Sequence, residues 1–459
     1  MAPQDATMYW LSGRTRNDLF LLYCFDDVGR ETDELRAFIA RRSSDIAELR
    51  VRLREVRGDM DYPSWVRCEF AAQQFVEHTL PQPDWSSVTA ALGELVGTGV
   101  DAVQRPWRLH VFRAITGAPG YEDRGRALVT VLQISHALAD GRRAAALARA
   151  LFAQNPQPVA GVREEGGASV GRMSGGTPSM GALGLLRFPG DFAATVVRGF
   201  HAARARRQLG ELTASGELPG PGPDFVPSIV NRTVLEGQQD HQVRMMVFAA
   251  AALRVPGRTL TVIALTAISL ALARHLSDRG APIDRLGAQV PVALPRPPSG
   301  RKTYPRNNFR SVGVDLLADE PDLRRRADGI AEALADRRQR AQHPLLSAQD
   351  RVTAGLPAPL LRRDVDRYPL ETVPPKIAGH TVVSSVDRGP ADLAFGGGTV
   401  RFTAGFPAIG SVMHLTHGIH GIGDTITVSL HADPVTVPDL DSYAVLLRAA
   451  LLEVVSALE

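Results

Sequence analysis

The chain has 459 residues, a formal net charge of +3, and 44% hydrophobic and 22% charged residues. This is ordinary globular composition, which excludes collagen-like, disordered and multi-span membrane classes. Of the 52 basic residues only Lys302 and Lys376 are lysine, and the arginines form no long like-charged block, so nothing resembles a nucleic-acid footprint.

Met1 to Thr7 carries acid and proline where a signal peptide needs a basic start and an apolar core, so a cytoplasmic protein is expected. Asp18 to Tyr23 reads as a strand, and Thr32 is placed to cap a helix burying Leu35, Phe38 and Ile39. Cys24 and Cys68 belong to no metal-type spacing and read as reduced structural thiols. Leu49, Val51 and Leu53 alternate with arginines as a half-buried strand does, and Pro63 to Val66 and Leu109 to Ile115 predict two more. Leu128 to Ile134 is a continuous apolar, β-prone run, and Ala144 to Leu151 favours helix.

From Gln157 to Pro227 glycine, proline and serine accumulate, as in a crossover between domains. Within it, Phe188 to Leu212 has Phe192, Val196, Val197 and Phe200 opposite Arg198, Arg204, Arg206 and Arg207. Two readings stand: a basic amphipathic helix on an anionic membrane or lipid-droplet surface, or a linker helix packing its apolar side on the protein, which is the commoner arrangement. Beyond it, strands are expected at Val243 to Ala250, Gly287 to Leu294, Phe309 to Leu317, Thr381 to Val386, Thr399 to Thr403 and Thr425 to His431. Helices are expected at Leu260 to His275, Asp322 to Gln339 and Leu440 to Leu458. The longest apolar run, Thr259 to Ala273, falls short of the roughly 18 residues that a spanning helix needs and reads as a buried core helix. The pattern predicts an α/β protein with mixed sheets: an N-terminal domain over 1–156, a crossover over 157–225 and a C-terminal domain over 226–459.

The stretch Ser135-His136-Ala137-Leu138-Ala139-Asp140-Gly141 lies between the apolar strand and the following helix. Histidine alone titrates unperturbed near neutral pH, at about 6.5, so a His136 presented on this turn suits proton removal from a hydroxyl or amine.

These residues resemble the HHxxxDG motif of the CoA-dependent acyltransferase superfamily, in its wax ester synthase/diacylglycerol acyltransferase branch. Arg105-Pro106-Trp107-Arg108-Leu109-His110 is similar to that branch's Pro-Leu-Trp segment, without the Leu. Leu356 to Leu361 and Val382 to Pro390 resemble its C-terminal signature around Ser-Asn-Val-Pro-Gly-Pro, and Asn308 matches a Gly-Asn position. The resemblance implies two chloramphenicol-acetyltransferase-like domains with an active-site tunnel between them. It implies His136 as general base, a structural Asp140 paired with an arginine, and no cofactor beyond acyl-CoA or an acyl-carrier thioester as co-substrate. The acceptor would be a hydrophobic alcohol. Ser135, Gly141, Trp107, Asn308, Ser384 and Ser385 are the residues expected around the substrates, with Ser384, Ser385 or Asn308 as oxyanion donors.

Three departures mark this chain: Ser135 replaces the first motif histidine, Thr259 to Val262 lacks the branch's Asn-Asp pair, and Ser385 stands for the signature Asn. A condensing enzyme using an acyl-carrier protein and a non-catalytic binding homologue are therefore the alternatives. A second group, His414, His417 and His420, has spacing open to a metal, but Gly418 and Gly421 disfavour the helix that would gather the rings. Loop histidines, lining an acceptor pocket or without a role, are expected there.

Overall fold

A computed structural model describes residues 1–121, 125–154, 203–233, 240–295, 305–353 and 355–459. The first half supplies β1 (Leu19–Asp26), β2 (Val51–Arg54), β3 (Ser64–Arg67), β4 (Phe75–His78), β5 (Trp107–Ile115) and β6 (Ala127–Ile134). The second supplies β7 (Gln242–Ala249), β8 (Gly287–Ala293), β9 (Phe309–Asp315), β10 (Thr381–Asp387), β11 (Ala394–Phe395), β12 (Gly398–Gly405), β13 (Leu415–Ile422) and β14 (Thr425–Ala432). They form two six-stranded sheets, in the orders β11-β12-β1-β6-β5-β4 and β7-β14-β13-β10-β8-β9, while β2 and β3 pair as a separate ribbon. Both sheets are mixed: β4 runs parallel to β5, and β10 parallel to β8 and β13, among antiparallel neighbours.

β6 is buried at every position, which explains a continuous apolar run in place of alternation. One face packs on the helices Thr32–Ser44 and Gly141–Phe152 through Leu35, Ile39, Leu147 and Leu151. The other packs on Val88, Leu92 and Val96 of the helix Trp85–Val96 and on Val243 of β7. In the second half the helix Leu260–Asp278 lies in the core with Leu440–Leu458 and Leu323–Ala341. By length and composition it is the one described helix that is apolar enough to cross a membrane; 67% of that window is buried against protein.

One piece of the second half belongs to the first sheet. Gly396 and Gly397 both have positive φ, 60° and 87°, which only glycine takes without strain. They turn β11 into β12, and β12 pairs antiparallel with β1 from Leu21↔Gly405 to Phe25↔Val400. Ala394–Gly405 thus falls within 226–459 along the chain and within the first sheet in space.

Several local expectations change. Thr32 is the first helical residue instead of the cap, and its hydroxyl donates to Glu77 at 2.6 Å. Leu49 sits in a 3-10 turn before β2. The helices Pro3–Ser12 and Trp85–Val96 and the strands β4, β11 and β13 were not expected; each is short, partnered from afar, or interrupted by polar residues. Of Phe188 to Leu212, residues up to 202 lie outside the described residues. From 203 to 214 the chain is helical, with Ala205 and Leu209 buried and Arg204, Arg206 and Arg207 exposed.

Candidate active site

From Ala127 to Asp140 every residue is buried except His136, which is only partly so. The turn that achieves this is held by main chain: the Ser135 amide donates to the Pro106 carbonyl and the Leu138 amide to the Ser135 carbonyl, both at 2.8 Å. Asp140 then caps the helix Gly141–Phe152, accepting from the Arg143 amide at 2.8 Å. Its other carboxylate oxygen accepts from the Asn308 amide at 3.0 Å. Where an arginine partner was expected, Asp140 is held by main-chain N–H groups, and the Arg143 guanidinium turns instead to Glu48.

The second half reaches the motif through Asn307. Its Oδ1 lies 2.8 Å from His136 Nδ1, and its Nδ2 donates to the His136 carbonyl at 2.7 Å and to Asp5 Oδ1 at 2.9 Å. With Nδ2 facing two acceptors, Oδ1 must accept, so the Nδ1 of His136 carries the proton and Nε2 keeps its lone pair. Burial lowers the His136 pKa from its ordinary value, against the hydrogen bonds and the charges of Asp140 and Asp5. The ring is therefore neutral near pH 7, in the tautomer that accepts a proton at Nε2. Phe309 at the start of β9 flanks it, with ring centroids 5.8 Å apart.

Asp5 comes from the helix Pro3–Ser12. It is 1% exposed, and its oxygens accept from the Arg306 and Asn307 amides and from Asn307 Nδ2, all within 3.0 Å. Burial pushes its carboxyl pKa up, and those donors pull it back. Neither Asp5 nor Asn307 was expected here. The only sequence signal is the Asn307-Asn308 pair, and of the two it is Asn307 that meets the imidazole: Asn308 spends its amide group on the Leu294 and Pro295 carbonyls.

The other expected residues separate. Trp107 is 1% exposed, donates from its indole to the Leu49 carbonyl at 2.9 Å and packs on Phe70, so it is a core anchor and not a substrate wall. Ser135 is also closed in, its hydroxyl accepting from the Ala137 amide at 3.4 Å. Gly141 opens its helix without a positive φ; a Cβ there would lie 3.8 Å from Val386 Cγ2. The motif thus faces β10 across the junction of the halves. Side chains alternate along a strand, so Ser384 shares the face of Val386, whereas Ser385 points the other way, where Thr261 donates to it at 3.1 Å. Beyond β10, Arg388 is buried over the Tyr23 ring and donates to its hydroxyl at 3.1 Å.

His417 and His420 lie within β13 and not in a loop, His414 stands just before that strand, and all three are buried. Their rings do not converge. His414 bonds Asp433, His417 lies between Thr381 and Tyr443, and His420 lies near Arg388.

The description of the wax ester synthase/diacylglycerol acyltransferase catalytic domain matches residues 1–245, more than half of the chain. The chain belongs to that family. No curated protein matches it. Among solved structures, this family member is similar over 99% of its length to the wax ester synthase/diacylglycerol acyltransferase from Marinobacter aquaeolei VT8, with 98% of that chain covered, 18% identity and a TM-score of 0.59. It is also similar to a mutant starter condensation domain of rhizomide synthetase in complex with C8-CoA, covering 99% and 94% at 14% identity and a TM-score of 0.56. The epimerization domain from the third module of tyrocidine synthetase B aligns over 98% and 95% at 11% identity and a TM-score of 0.53. These likenesses establish the two-half acyltransferase fold of the family.

Proposed function

We propose that this acyltransferase moves an acyl group from acyl-CoA to the hydroxyl of a hydrophobic alcohol. The observation that carries the reading is His136, the one partly exposed residue of its turn, with Nδ1 engaged by Asn307 and Nε2 without a hydrogen-bond partner among the described residues. Nε2 takes the proton of the acceptor O–H as that oxygen bonds to the thioester carbonyl carbon. The C–S bond of the tetrahedral intermediate then breaks, and the imidazolium returns its proton to the departing thiolate. Atoms and charge balance without a covalent enzyme intermediate, a metal or a prosthetic group. Ser384, on the Val386 face of β10, is the donor we assign to the oxyanion; such a donor is worth roughly 3 to 4 kcal/mol where measured. Acceptor and donor would reach His136 from opposite openings of a passage between the halves.

A carrier-protein thioester is the second reading, supported by the likeness to condensation domains of peptide synthetases, although the complex of one of them with C8-CoA speaks for a CoA donor. Purified protein given a panel of acyl-CoAs and long-chain alcohols should release free thiol and form ester, and His136→Ala should abolish both. Turnover with acyl-carrier protein alone selects the second reading. Full turnover by His136→Ala refutes both. Flotation with anionic liposomes, with and without the 188–212 segment, tests peripheral membrane contact.

A further inference from the structure

We infer that Asp5 is a positioning residue of the active site, acting through Asn307 to hold His136 in its proton-accepting tautomer. The inference rests on the reading of His136 as the base, and it extends the site by two residues that lie outside the motif turn.

The argument is geometric. An asparagine amide presents a donor end and an acceptor end of nearly equal shape, and only its surroundings choose between them. At Asn307 the choice matters, because the end facing His136 Nδ1 decides which ring nitrogen carries the proton. The His136 carbonyl at 2.7 Å is a single neutral acceptor for Nδ2. The Asp5 carboxylate at 2.9 Å is the second, and a charged one. The same oxygen accepts the Asn307 amide at 2.9 Å, so side chain and main chain of Asn307 are held by one atom. Rotating the Asn307 amide would set its one oxygen against both Asp5 and the His136 carbonyl, and its NH2 group against Nδ1. Both sides of that arrangement are repulsive while Nδ1 is protonated.

Asp5 is itself fixed from two directions. The Arg306 amide donates to both carboxylate oxygens, at 3.0 and 2.9 Å. Its helix is seated by Ala6 and Trp10, which are 0% and 1% exposed, against Ala358, Leu361 and Val365 of the helix Ala358–Asp366. Arg14 extends the seat by donating to the Val365 carbonyl at 2.5 Å. A helix near the start of the chain is thereby joined to a segment 302 positions away, and the joint ends on the base.

The test combines turnover with a direct view of the ring. In full-length protein with 15N-labelled histidine, the His136 signals, assigned by their loss in His136→Gln, should show a protonated Nδ1 and an unprotonated Nε2. Asp5→Ala should convert them to a mixture of tautomers and lower kcat by roughly 10- to 100-fold, part of the roughly 100- to 10,000-fold that general-base catalysis contributes, while KM stays nearly constant. Asp5→Asn retains an acceptor oxygen and should restore part of the loss. Asp5→Ala combined with Asn307→Ala should be no slower than Asn307→Ala alone, because both act through one bond. Trp10→Leu, which loosens the helix seat and leaves the carboxylate, separates docking from positioning: a loss of kcat equal to that of Asp5→Ala overturns the inference. His136 signals identical in wild type and Asp5→Ala, or in wild type and the acceptor-free Asp5→Leu if Asp5→Ala fails to fold, overturn it as well. Should the wild type transfer no acyl group from any donor, the proposed function fails, and the tautomer spectra still decide the role of Asp5.

Discussion

The Arg149 guanidinium donates to the main-chain carbonyl of Arg388 at 3.0 Å, so a side chain on the motif helix closes on the strand end of the other half. The same nitrogen reaches the Pro390 carbonyl at 2.9 Å, and the second reaches Asp392 at 2.5 Å. Arg388 returns the contact by burying its own side chain over Tyr23 of β1. The segment Ser384 to Pro390 that resembles a family signature is therefore a joint between the halves.

Arg149→Ala should open that joint. Hydrogen bonds from a charged donor to carbonyls contribute about 1.5 to 3 kcal/mol each when buried, and the Arg149 side chain is 26% exposed. A net loss of about 2 kcal/mol in a urea melt is expected, together with a raised KM for the acyl donor. A midpoint equal to wild type would show that the clasp is not formed in solution.

Gly141→Ala is expected to leave stability unchanged, to within about 0.5 kcal/mol, because the added Cβ meets only Val386 at 3.8 Å and the backbone is not left-handed. The methyl would project towards β10, where the substrates are proposed to lie. Steady-state kinetics should show a higher KM for long acyl donors with little change in kcat. A large fall in the melting midpoint would contradict the geometry.

Gly418→Ala should do the opposite. Its Cβ would stand 2.3 Å from the Gly405 carbonyl oxygen and 2.4 Å from Ser429 Oγ, where the end of β12 crosses the second sheet. Backbone cannot withdraw from that contact without separating β12 from β13 and β14. Destabilisation of about 3 kcal/mol or more is expected, seen as lost soluble yield or an early urea transition. A variant as stable as wild type would mean that β12 does not lie there.

Acid should unfold the protein through its buried histidines. Burial lowers His110 to about 4 and His417 and His431 to about 3, from an unfolded value near 6.5. Between those limits the unfolded chain binds protons that the folded chain refuses, so stability falls as pH drops below about 6.5, by roughly 1.4 kcal/mol per pH unit for each histidine. Asp18 works against this: burial raises it to about 6, so between its folded and unfolded values it favours the folded state as pH falls. Asp5, also raised by burial, acts in the same direction as Asp18; these two carboxylates offset two histidines, and the other histidines lowered by burial, His136, His380 and His420 among them, tip the balance. Urea melts from pH 7 to 5 should show a declining midpoint, and His417→Gln should flatten the decline.

Much of the fold was legible because it repeats along the chain. The helix at Leu440–Leu458 matched its expected limits, with Asp439 accepting from the Ser442 amide as cap. β13 escaped because its histidines and glycines carry no apolar period; its burial comes from β10, β14 and the Gly405 crossing. Within the site, the turn carrying His136 was legible and its supports were not.

The sequence alone determined the strand, turn and capped helix that isolate His136, since strand propensity, an Asp cap and helical alanines act over a few neighbours. Tertiary structure alone decided that Asn307 and not Asn308 meets the imidazole, that Asp5 stands behind it, and that β11 and β12 join the other sheet. The reason is physical: a short polar side chain at position 5 or 307 has no periodic pattern, and its role arises only when folding brings distant segments within hydrogen-bonding reach.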